Sequence, residues 1–245
     1  MEDKRDFLFR FIPPDKRKRL RFDEEALYSV TDQYTADKIS RELKRLCPGV
    51  QIITDATACI GGNSFSFSKH FPFVQAIELD KIRFDYLKAN LQTLESMNVA
   101  CYWADCIDVV PYLKQDLVFL DPPWGGPTYK DKPNIDLYLS GVELSEICRI
   151  IKPSCRYLAL KVPQNFALEK FNQRVGDFMK QVYRNVDLRK MQLLIYVWII
   201  YNQTVWDFLE NLAEKNSIPF SVKPISLLLF YLLYYWLLLL WLLFQ

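Results

Sequence analysis

Histidine is almost absent from this sequence, since His70 is the only one among 245 residues. Six cysteines are present, but no two of them form a Cys-x-x-Cys pair. Structural zinc sites combine closely spaced cysteines with histidines, so no metal site is expected. Disulfide scaffolds belong mainly to short secreted chains. We therefore expect reduced cysteines and an intracellular protein, in the nucleus or the cytoplasm.

Glycine is also scarce, and neither sign of charge is in excess. The 7 glycines form neither Gly-x-Gly-x-x-Gly nor the P-loop pattern, which disfavours the usual dinucleotide and nucleoside-triphosphate sites. Lysine plus arginine number 31 against 29 acidic residues, and the net charge of +2 excludes a basic field over the whole protein. With 51% hydrophobic and 24% charged residues, the chain is not intrinsically disordered.

Residues 1–22 form a basic arm with eight lysine or arginine side chains and four acidic ones. The run from Lys16 to Arg19 is wholly basic. Such a cluster can neutralise phosphates or serve as a nuclear address, and the alternative is an arm that is simply solvated. The apolar stretch of a secretory signal is missing here, so none is expected.

Residues 225–245 are strongly apolar, and the 20 residues 225–244 carry no charge. A helix of that length spans about 30 Å, the thickness of the hydrocarbon layer of a bilayer. The sequence therefore predicts an apolar C-terminal helix, a candidate transmembrane anchor that would leave the main domain in the cytoplasm. A short helix and linker are expected over residues 203–224. Two alternatives stay open: a helix buried within the fold, and a segment foreign to the natural protein.

Residues 23–202 alternate short apolar runs with amphipathic stretches, which predicts strands and helices in turn. Strands without polar alternation indicate a sheet that is covered on both faces. We expect an α/β fold, with a mainly parallel, doubly wound sheet and a small N-terminal helical cap. The strands are predicted at 50–54, 73–79, 99–103, 117–120, 157–162 and 193–200. Helices are predicted at 26–46, with Thr35 as a candidate N-cap, and at 82–94, 137–151 and 167–183.

Three carboxylates follow three consecutive predicted strands, where ligands of such sheets bind. Asp55 follows the first strand, Glu78 ends the second and Asp105 follows the third. Asp55 would repel a pyrophosphate but suits a cationic nucleoside, Glu78 can accept from both ribose hydroxyls, and Asp105 can accept from an adenine amine. Gly61 and Gly62 let the backbone approach a ligand closely. This set predicts a site for S-adenosylmethionine.

The fourth strand is followed by Asp121-Pro122-Pro123-Trp124-Gly125-Gly126-Pro127, the most specific motif in the chain. The prolines fix the backbone and remove two N–H donors, so that the carbonyls and the Asp121 carboxylate can accept from an exocyclic amine. Trp124 offers a face for a base to stack on, with an additional attraction if the base is cationic. The motif predicts methyl transfer to the amino group of a nucleobase.

These motifs resemble the RNA cap guanine-N2 methyltransferases, the trimethylguanosine synthases, over about residues 20–202. The resemblance rests on the Asp121–Pro127 string, on Asp55-Ala56 ahead of Gly61-Gly62-Asn63, and on Tyr28-Ser29-Val30-Thr31. It implies a Rossmann-like class I methyltransferase that uses S-adenosylmethionine to methylate N2 of an m7G cap on RNA.

The resemblance also implies residue roles. Trp124 would stack on the 7-methylguanine, Asp121, Pro122 and Pro123 would form the catalytic motif, and Asn90 would contact the cap. The donor would be lined by Ser29, Thr31, Asp55, Gly61, Gly62, Asn63, Glu78 and Asp105. The chain departs from the family where Cys59 replaces a usual Gly, Glu78 a usual Asp, and Asp121 a Ser that many members have.

Two other functions remain open at this point. One is an amino-methyltransferase that acts on adenine N6 in DNA or RNA, because a bare Asp-Pro-Pro-Trp motif is shared with such enzymes. The other is a non-catalytic scaffold that holds capped RNA at a membrane. Cys59 favours the scaffold, because a bulkier residue in the donor loop weakens the case for donor binding.

Overall fold

The computed structural model describes residues 4–188 and 190–198. The described residues form one seven-stranded sheet and a separate two-stranded hairpin. The strands are β1 (Ile52–Asp55), β2 (Phe73–Glu78), β3 (Val99–Trp103), β4 (Leu117–Leu120), β5 (Tyr138–Leu139), β6 (Val142–Glu143), β7 (Tyr157–Pro163), β8 (Met179–Leu188) and β9 (Met191–Trp198). The order across the large sheet is β3-β2-β1-β4-β7-β9-β8, and β5 pairs with β6.

The described helices lie before, between and after these strands. They are α1 (Lys4–Leu8), α2 (Pro14–Arg17), α3 (Ala26–Ser29), α4 (Gln33–Leu46), α5 (Gly62–His70), α6 (Lys81–Thr93), α7 (Cys106–Val109), α8 (Leu144–Ile151) and α9 (Leu168–Val175). Short 3-10 turns cover Val110–Tyr112, Pro127–Asp131 and Lys152–Ser154.

The sheet is buried on both faces, as the apolar strands predicted. In β4, Leu117 and Phe119 belong to one core, with the buried side chains of α4 and α5. Val118 and Leu120 belong to the other core, with α8 and α9. Successive side chains of a strand point to opposite faces, so a fully apolar strand supplies two cores at once. The predicted mainly parallel, doubly wound α/β fold is confirmed.

The far side of the sheet differs from the prediction. Strands β3, β2, β1, β4 and β7 are parallel, but β9 is antiparallel to both β7 and β8. The predicted helix 167–183 was too long, since α9 ends at Val175 and β8 follows. β8 alternates between exposed and half-buried side chains, with the period of a strand. It ends at Leu188 and β9 begins at Met191, and so short a connection joins antiparallel strands.

Two predicted helices are also divided. The helix expected at 26–46 is broken between α3 and α4, and Asp32 rather than Thr35 is the N-cap of α4. The Asp32 carboxylate accepts from the Thr35 backbone N–H at 3.2 Å and from its hydroxyl at 2.7 Å. The stretch expected as a helix at 137–151 begins instead with the β5–β6 hairpin, and only α8 is helical.

The basic arm is folded onto the domain in its described part, residues 4–22. Its apolar side chains Leu8, Phe9, Ile12 and Leu20 are buried in a cluster that also contains Ile60 of the loop after β1. Two of its cations form ion pairs, Arg17 with Asp6 at 2.9 Å and Lys16 with Glu95 at 2.8 Å. These contacts argue against a simply solvated arm.

Within the described residues, no helix has the length and apolar character needed to cross a membrane. The predicted short helix at 203–224 and the predicted anchor at 225–245 lie outside the described residues.

Candidate active site

Asp55 lies at the end of β1 and is completely buried. Its Oδ2 atom accepts from the Ser64 hydroxyl at 2.6 Å, whereas Oδ1 is buried without a partner. Burial raises the pKa of the Asp55 carboxyl to about 7, and the nearby charges of Asp121 and Glu78 act in the same direction. The hydrogen bonds from Ser64 and from the Thr57 backbone partly oppose this rise. The site therefore holds an acid that a cationic ligand would help to ionise.

The loop between β1 and α5 is anchored on both neighbouring strands. The Ala56 N–H donates to the Phe119 carbonyl at 2.9 Å, and the Ala58 N–H donates to the Ile77 carbonyl at 2.8 Å. Cys59 then has a φ of +50°, a left-handed conformation that non-glycine residues seldom adopt. This backbone requirement accounts for the glycine that the resemblance implies at this position.

Gly61 and Gly62 are needed for packing within the protein, a role that the ligand-approach prediction did not include. Gly61 has a φ of +99°, and a Cβ there would lie 3.0 Å from Leu87 Cδ1. A Cβ on Gly62 would lie 2.7 Å from the Thr31 carbonyl oxygen and 2.6 Å from Val30 Cγ2. The segment before α4 therefore packs directly on the start of α5.

Glu78 and Asp105 lie at the ends of the next two strands, as predicted, and both carboxylates are already engaged. Glu78 accepts from the backbone N–H groups of Cys59 and Asp80, each at 2.8 Å. Burial raises the pKa of the Glu78 carboxyl, and these hydrogen bonds and Arg83 counteract it. Asp105 is the N-cap of α7 and also accepts from the Ser140 hydroxyl in the β5–β6 turn. Each carboxylate has about four acceptor positions, so capacity for a ligand remains.

Asp121 follows β4, and its N–H donates to the Thr57 hydroxyl at 2.9 Å. Its carboxylate is 11% exposed and forms an ion pair with the ammonium of Lys161. Burial raises the pKa of the Asp121 carboxyl, whereas Lys161 and the Thr31 hydroxyl lower it. The structure thus brings Asp121, Asp55 and Thr31 to one end of the sheet.

Trp124 is half-buried, packed against the core that lies on the α8 and α9 side. Its ring meets Tyr129 edge-on, with the centroids 5.1 Å apart, and the Lys161 ammonium lies 5.4 Å from the ring centroid. The indole Nε1 is buried without a hydrogen-bond partner. Pro122 is buried, and Pro123, Gly125 and Gly126 are exposed.

Lys161 was missed at the sequence level. It is the only charged side chain of β7, which is otherwise wholly apolar apart from Tyr157, and it is 3% exposed. A single lysine inside a buried strand is the signal that would have found it, because an unpaired cation is rarely buried. Asn165, just beyond β7, was missed as well. Its amide donates to the carbonyls of Tyr129 and Lys132 at 2.8 and 2.7 Å, which holds the turn after the motif.

The other predicted site residues differ in burial and in hydrogen bonding. Thr31 is buried next to Lys161, and Asn63 is buried in the first turn of α5 with Oδ1 unpartnered. Ser29 is exposed at the end of α3. Asn90 is 2% exposed, and its amide pairs with the backbone of Arg21 and with the Ile60 carbonyl. Asn90 therefore holds the basic arm to the loop after β1, and its amide N–H groups are both in use.

Residues 50–204, more than half of the chain, match the model of a family described as RNA cap guanine-N2 methyltransferase. The chain belongs to the RNA cap guanine-N2 methyltransferase family.

The chain is also similar to two curated relatives in sequence and to one solved structure in fold. An uncharacterized protein of Acanthamoeba polyphaga mimivirus is 33% identical over 149 residues, which cover 59% of this chain and 57% of the relative. Trimethylguanosine synthase of Schizosaccharomyces pombe is 31% identical over 163 residues, which cover 59% of this chain and 66% of that protein. The match therefore spans less than two thirds of either relative. A precorrin-6y C5,15-methyltransferase from Geobacter metallireducens GS-15 shares the fold, with a TM-score of 0.51 at 16% identity, over 74% of this chain and 94% of that one.

A methyltransferase of this family requires a methyl donor, and the site can be tested for its fit to S-adenosylmethionine. Two buried acceptors, Asp55 Oδ1 and Asn63 Oδ1, lack a partner within the protein. Buried polar groups are nearly always hydrogen-bonded, so orphaned acceptors indicate where a ligand donates. The donor molecule carries positive charge and N–H groups, which suit a buried carboxylate and an amide oxygen. The residues present therefore fit the cofactor. Among the described residues, no cluster of side chains suited to a metal ion is found.

Proposed function

We propose that this chain transfers a methyl group from S-adenosylmethionine to the exocyclic N2 amine of the 7-methylguanosine cap of RNA. The observation that carries the proposal is the Asp121–Trp124 motif at the end of β4, next to the buried carboxylate of Asp55 at the end of β1. Membership of the cap guanine-N2 methyltransferase family supports the same reaction.

The donor side of the proposed site is formed by the ends of β1, β2 and β3. S-adenosylmethionine supplies an electrophilic methyl group there. Asp55 balances its positive charge, Glu78 accepts from the ribose, and Asp105 accepts from the adenine amine. The loop and cap residues that complete this side are Ser29, Thr31, Gly61, Gly62 and Asn63.

The substrate side is formed by the motif after β4. Stacking of a base on Trp124 contributes about 1–3 kcal/mol, and a cationic base such as 7-methylguanine adds about 0.5–2 kcal/mol. The Asp121 carboxylate and the Pro122 carbonyl accept from the two N–H groups of the amine, while Pro123 keeps the turn rigid. This aims the nitrogen lone pair at the methyl carbon, and such alignment is the main source of the acceleration. Asn90 is left out of the proposed cap contacts, because its amide is occupied by the backbone.

The reaction balances without a strong base. The N2 lone pair forms a bond to the methyl carbon as the carbon–sulfur bond breaks, and its electrons leave with sulfur. N2 then carries one proton too many, which passes through the Asp121 carboxylate to solvent. Asp121 therefore needs to be ionised when the amine binds.

The test is methyl transfer by the full-length chain from S-adenosylmethionine to m7GTP, compared with GTP. We expect transfer to m7GTP and at least a tenfold lower rate with GTP, because a cation–π term of about 1.4 kcal/mol is tenfold. Calorimetry is the second measurement, and it should show that Trp124→Ala no longer binds m7GTP but still binds the donor.

Four results would contradict the proposal or part of it. Donor binding without any transfer to m7GTP would reject the activity. Transfer to unmethylated adenine oligonucleotides instead would select an adenine-N6 methyltransferase. Retained cap binding with no donor binding would select the non-catalytic scaffold, which the left-handed Cys59 in the donor loop favours. Equal loss of cap and donor binding in Trp124→Ala would make Trp124 a structural residue.

We also propose, from the sequence alone, that residues 225–244 anchor the protein in a membrane. The support is a stretch of 20 residues without charge, long enough to cross a bilayer as a helix. In this proposal m7G-capped RNA is methylated on the nuclear or cytoplasmic side of that membrane.

A further inference from the structure

Lys161 is a buried cation at the place where the proposed chemistry occurs. β7 lies beside β4 in the sheet, with Leu160 opposite Leu120, so that Lys161 is level with Asp121. The Lys161 ammonium contacts the Asp121 Oδ2 atom and donates to the Thr31 hydroxyl at 2.9 Å. One side chain thus connects the motif after β4 to the segment that precedes α4.

Packing alone does not explain a lysine at this position. Removing an ammonium from water costs several kcal/mol, and a leucine or methionine would fill the same strand position without that penalty. A buried pair of this kind is tolerated when both charges are present, and either charge alone is strongly destabilising. The identity of residue 161 is therefore tied to the carboxylate of Asp121.

Without Lys161, the surroundings of Asp121 would favour the protonated form of its carboxyl group. It is largely buried, and the acid of Asp55 lies near it at the end of the adjacent strand. Burial raises the pKa of Asp121, and the ammonium of Lys161 together with the Thr31 hydroxyl opposes the rise. A protonated Asp121 would present an O–H donor toward the amine and would accept from it less well.

We propose that Lys161 is a positioning residue for methyl transfer, which keeps Asp121 ionised and oriented toward the amine, and that the two residues form one exchangeable unit. The inference rests on the proposed function, because it assigns the acceptor role to Asp121. A neutral residue at position 121, such as serine, would need no counter-charge, so the pair can be replaced together, although neither member can be replaced alone.

The experiment measures kcat and KM for m7GTP between pH 6 and 9, with the full-length chain and saturating donor. The variants are Lys161→Met, Lys161→Arg, Asp121→Ser and the double variant Asp121→Ser with Lys161→Met. We expect Lys161→Met to lower kcat at pH 7 by about 10- to 100-fold and to move the acidic limb of the profile to higher pH. The sign follows because loss of the cation raises the pKa of Asp121.

The other variants distinguish a positioning role from a structural one. Lys161→Arg retains the charge and should keep the acidic limb near that of the wild type. The double variant should exceed Asp121→Ser in kcat by about tenfold or more, since it removes an unpaired buried cation. An unchanged pH profile in Lys161→Met, or a double variant no more active than the worse single variant, would overturn the proposal.

Thermal unfolding of the same four variants keeps the two proposals separate. Each single charge removal should lower Tm by about 5–10 °C, and the double variant should recover most of that loss. Wild-type protein that binds donor but does not methylate m7GTP would refute the proposed function. The proposal on Lys161 and Asp121 would then be tested by the Tm values of the two single variants and the double variant. Additive Tm losses would overturn that proposal. If the single variants do not fold, a double variant that also fails to fold or to react overturns it as well.

Discussion

The carboxyl group of Asp55 has a protonation state that is set by burial rather than by residue type. An exposed aspartate ionises near pH 4, but the pKa of Asp55 is raised to about 7. The folded state therefore binds the proton more tightly than the unfolded chain does. Its contribution to stability is present below about pH 4 and is lost as the pH rises to about 7.

Replacement of Asp55 with asparagine should remove this pH dependence. Wild-type protein should lose up to about 4 kcal/mol between pH 4 and pH 7.5 relative to Asp55→Asn, which has no proton to release and can still accept from Ser64. Urea unfolding across this range measures the difference. Asp85→Asn, on the exposed face of α6, is the matched control, because its ion pair with Lys81 is on the surface. Parallel curves for wild type and Asp55→Asn would contradict the assignment.

At the scale of elements, the segment between α3 and α4 and the start of α5 form one unit. Gly62 lets the Thr31 backbone approach α5, and Thr31 in turn contacts Lys161 of β7. The resemblance implied that Ser29 and Thr31 line the donor site. Its mode of attachment was not predictable, because the contacts join residues that are distant in the chain.

Gly62→Ala should displace this segment. The added methyl group would lie well inside contact distance of both Val30 and the Thr31 carbonyl, so we expect a loss of about 1–3 kcal/mol in unfolding free energy and weaker donor binding. Urea unfolding and calorimetry with S-adenosylmethionine are the measurements. Adding Val30→Ala relieves only the side-chain contact, so it should restore the variant in part. Full stability and affinity in Gly62→Ala would show that the segment does not form part of the donor site.

At the scale of the whole molecule, the main error of the sequence prediction lies at the antiparallel end of the sheet, where the residues of β8 were partly assigned to a helix. Its two strands differ in character, since β9 is apolar and buried whereas β8 alternates. The alternating residues after Val175 were assigned to a helix because α9 itself has a helical apolar face. The pairing with β9 fixes this segment as a strand.

The apolar tail is a second whole-molecule feature, and its role is testable in cells. We expect the full chain in the membrane fraction and a chain lacking 225–245 in the soluble fraction, because 20 apolar residues favour a bilayer over water. Alkaline carbonate extraction followed by centrifugation separates an inserted helix from a peripheral protein. Recovery of the full chain in the carbonate supernatant would reject the anchor.

The sequence by itself determined the two-faced sheet, the acids at its strand ends and the motif after β4, because each follows from local runs of residues. The tertiary structure alone decided that Lys161 pairs with Asp121, that Asn90 holds the basic arm, and that β9 lies between β7 and β8, antiparallel to both. In the chain, Lys161 lies 40 positions from Asp121 and 130 positions from Thr31, which it also contacts. Local propensity carries no information on which distant strand or charge becomes the partner, and burial then sets the energy of the contact.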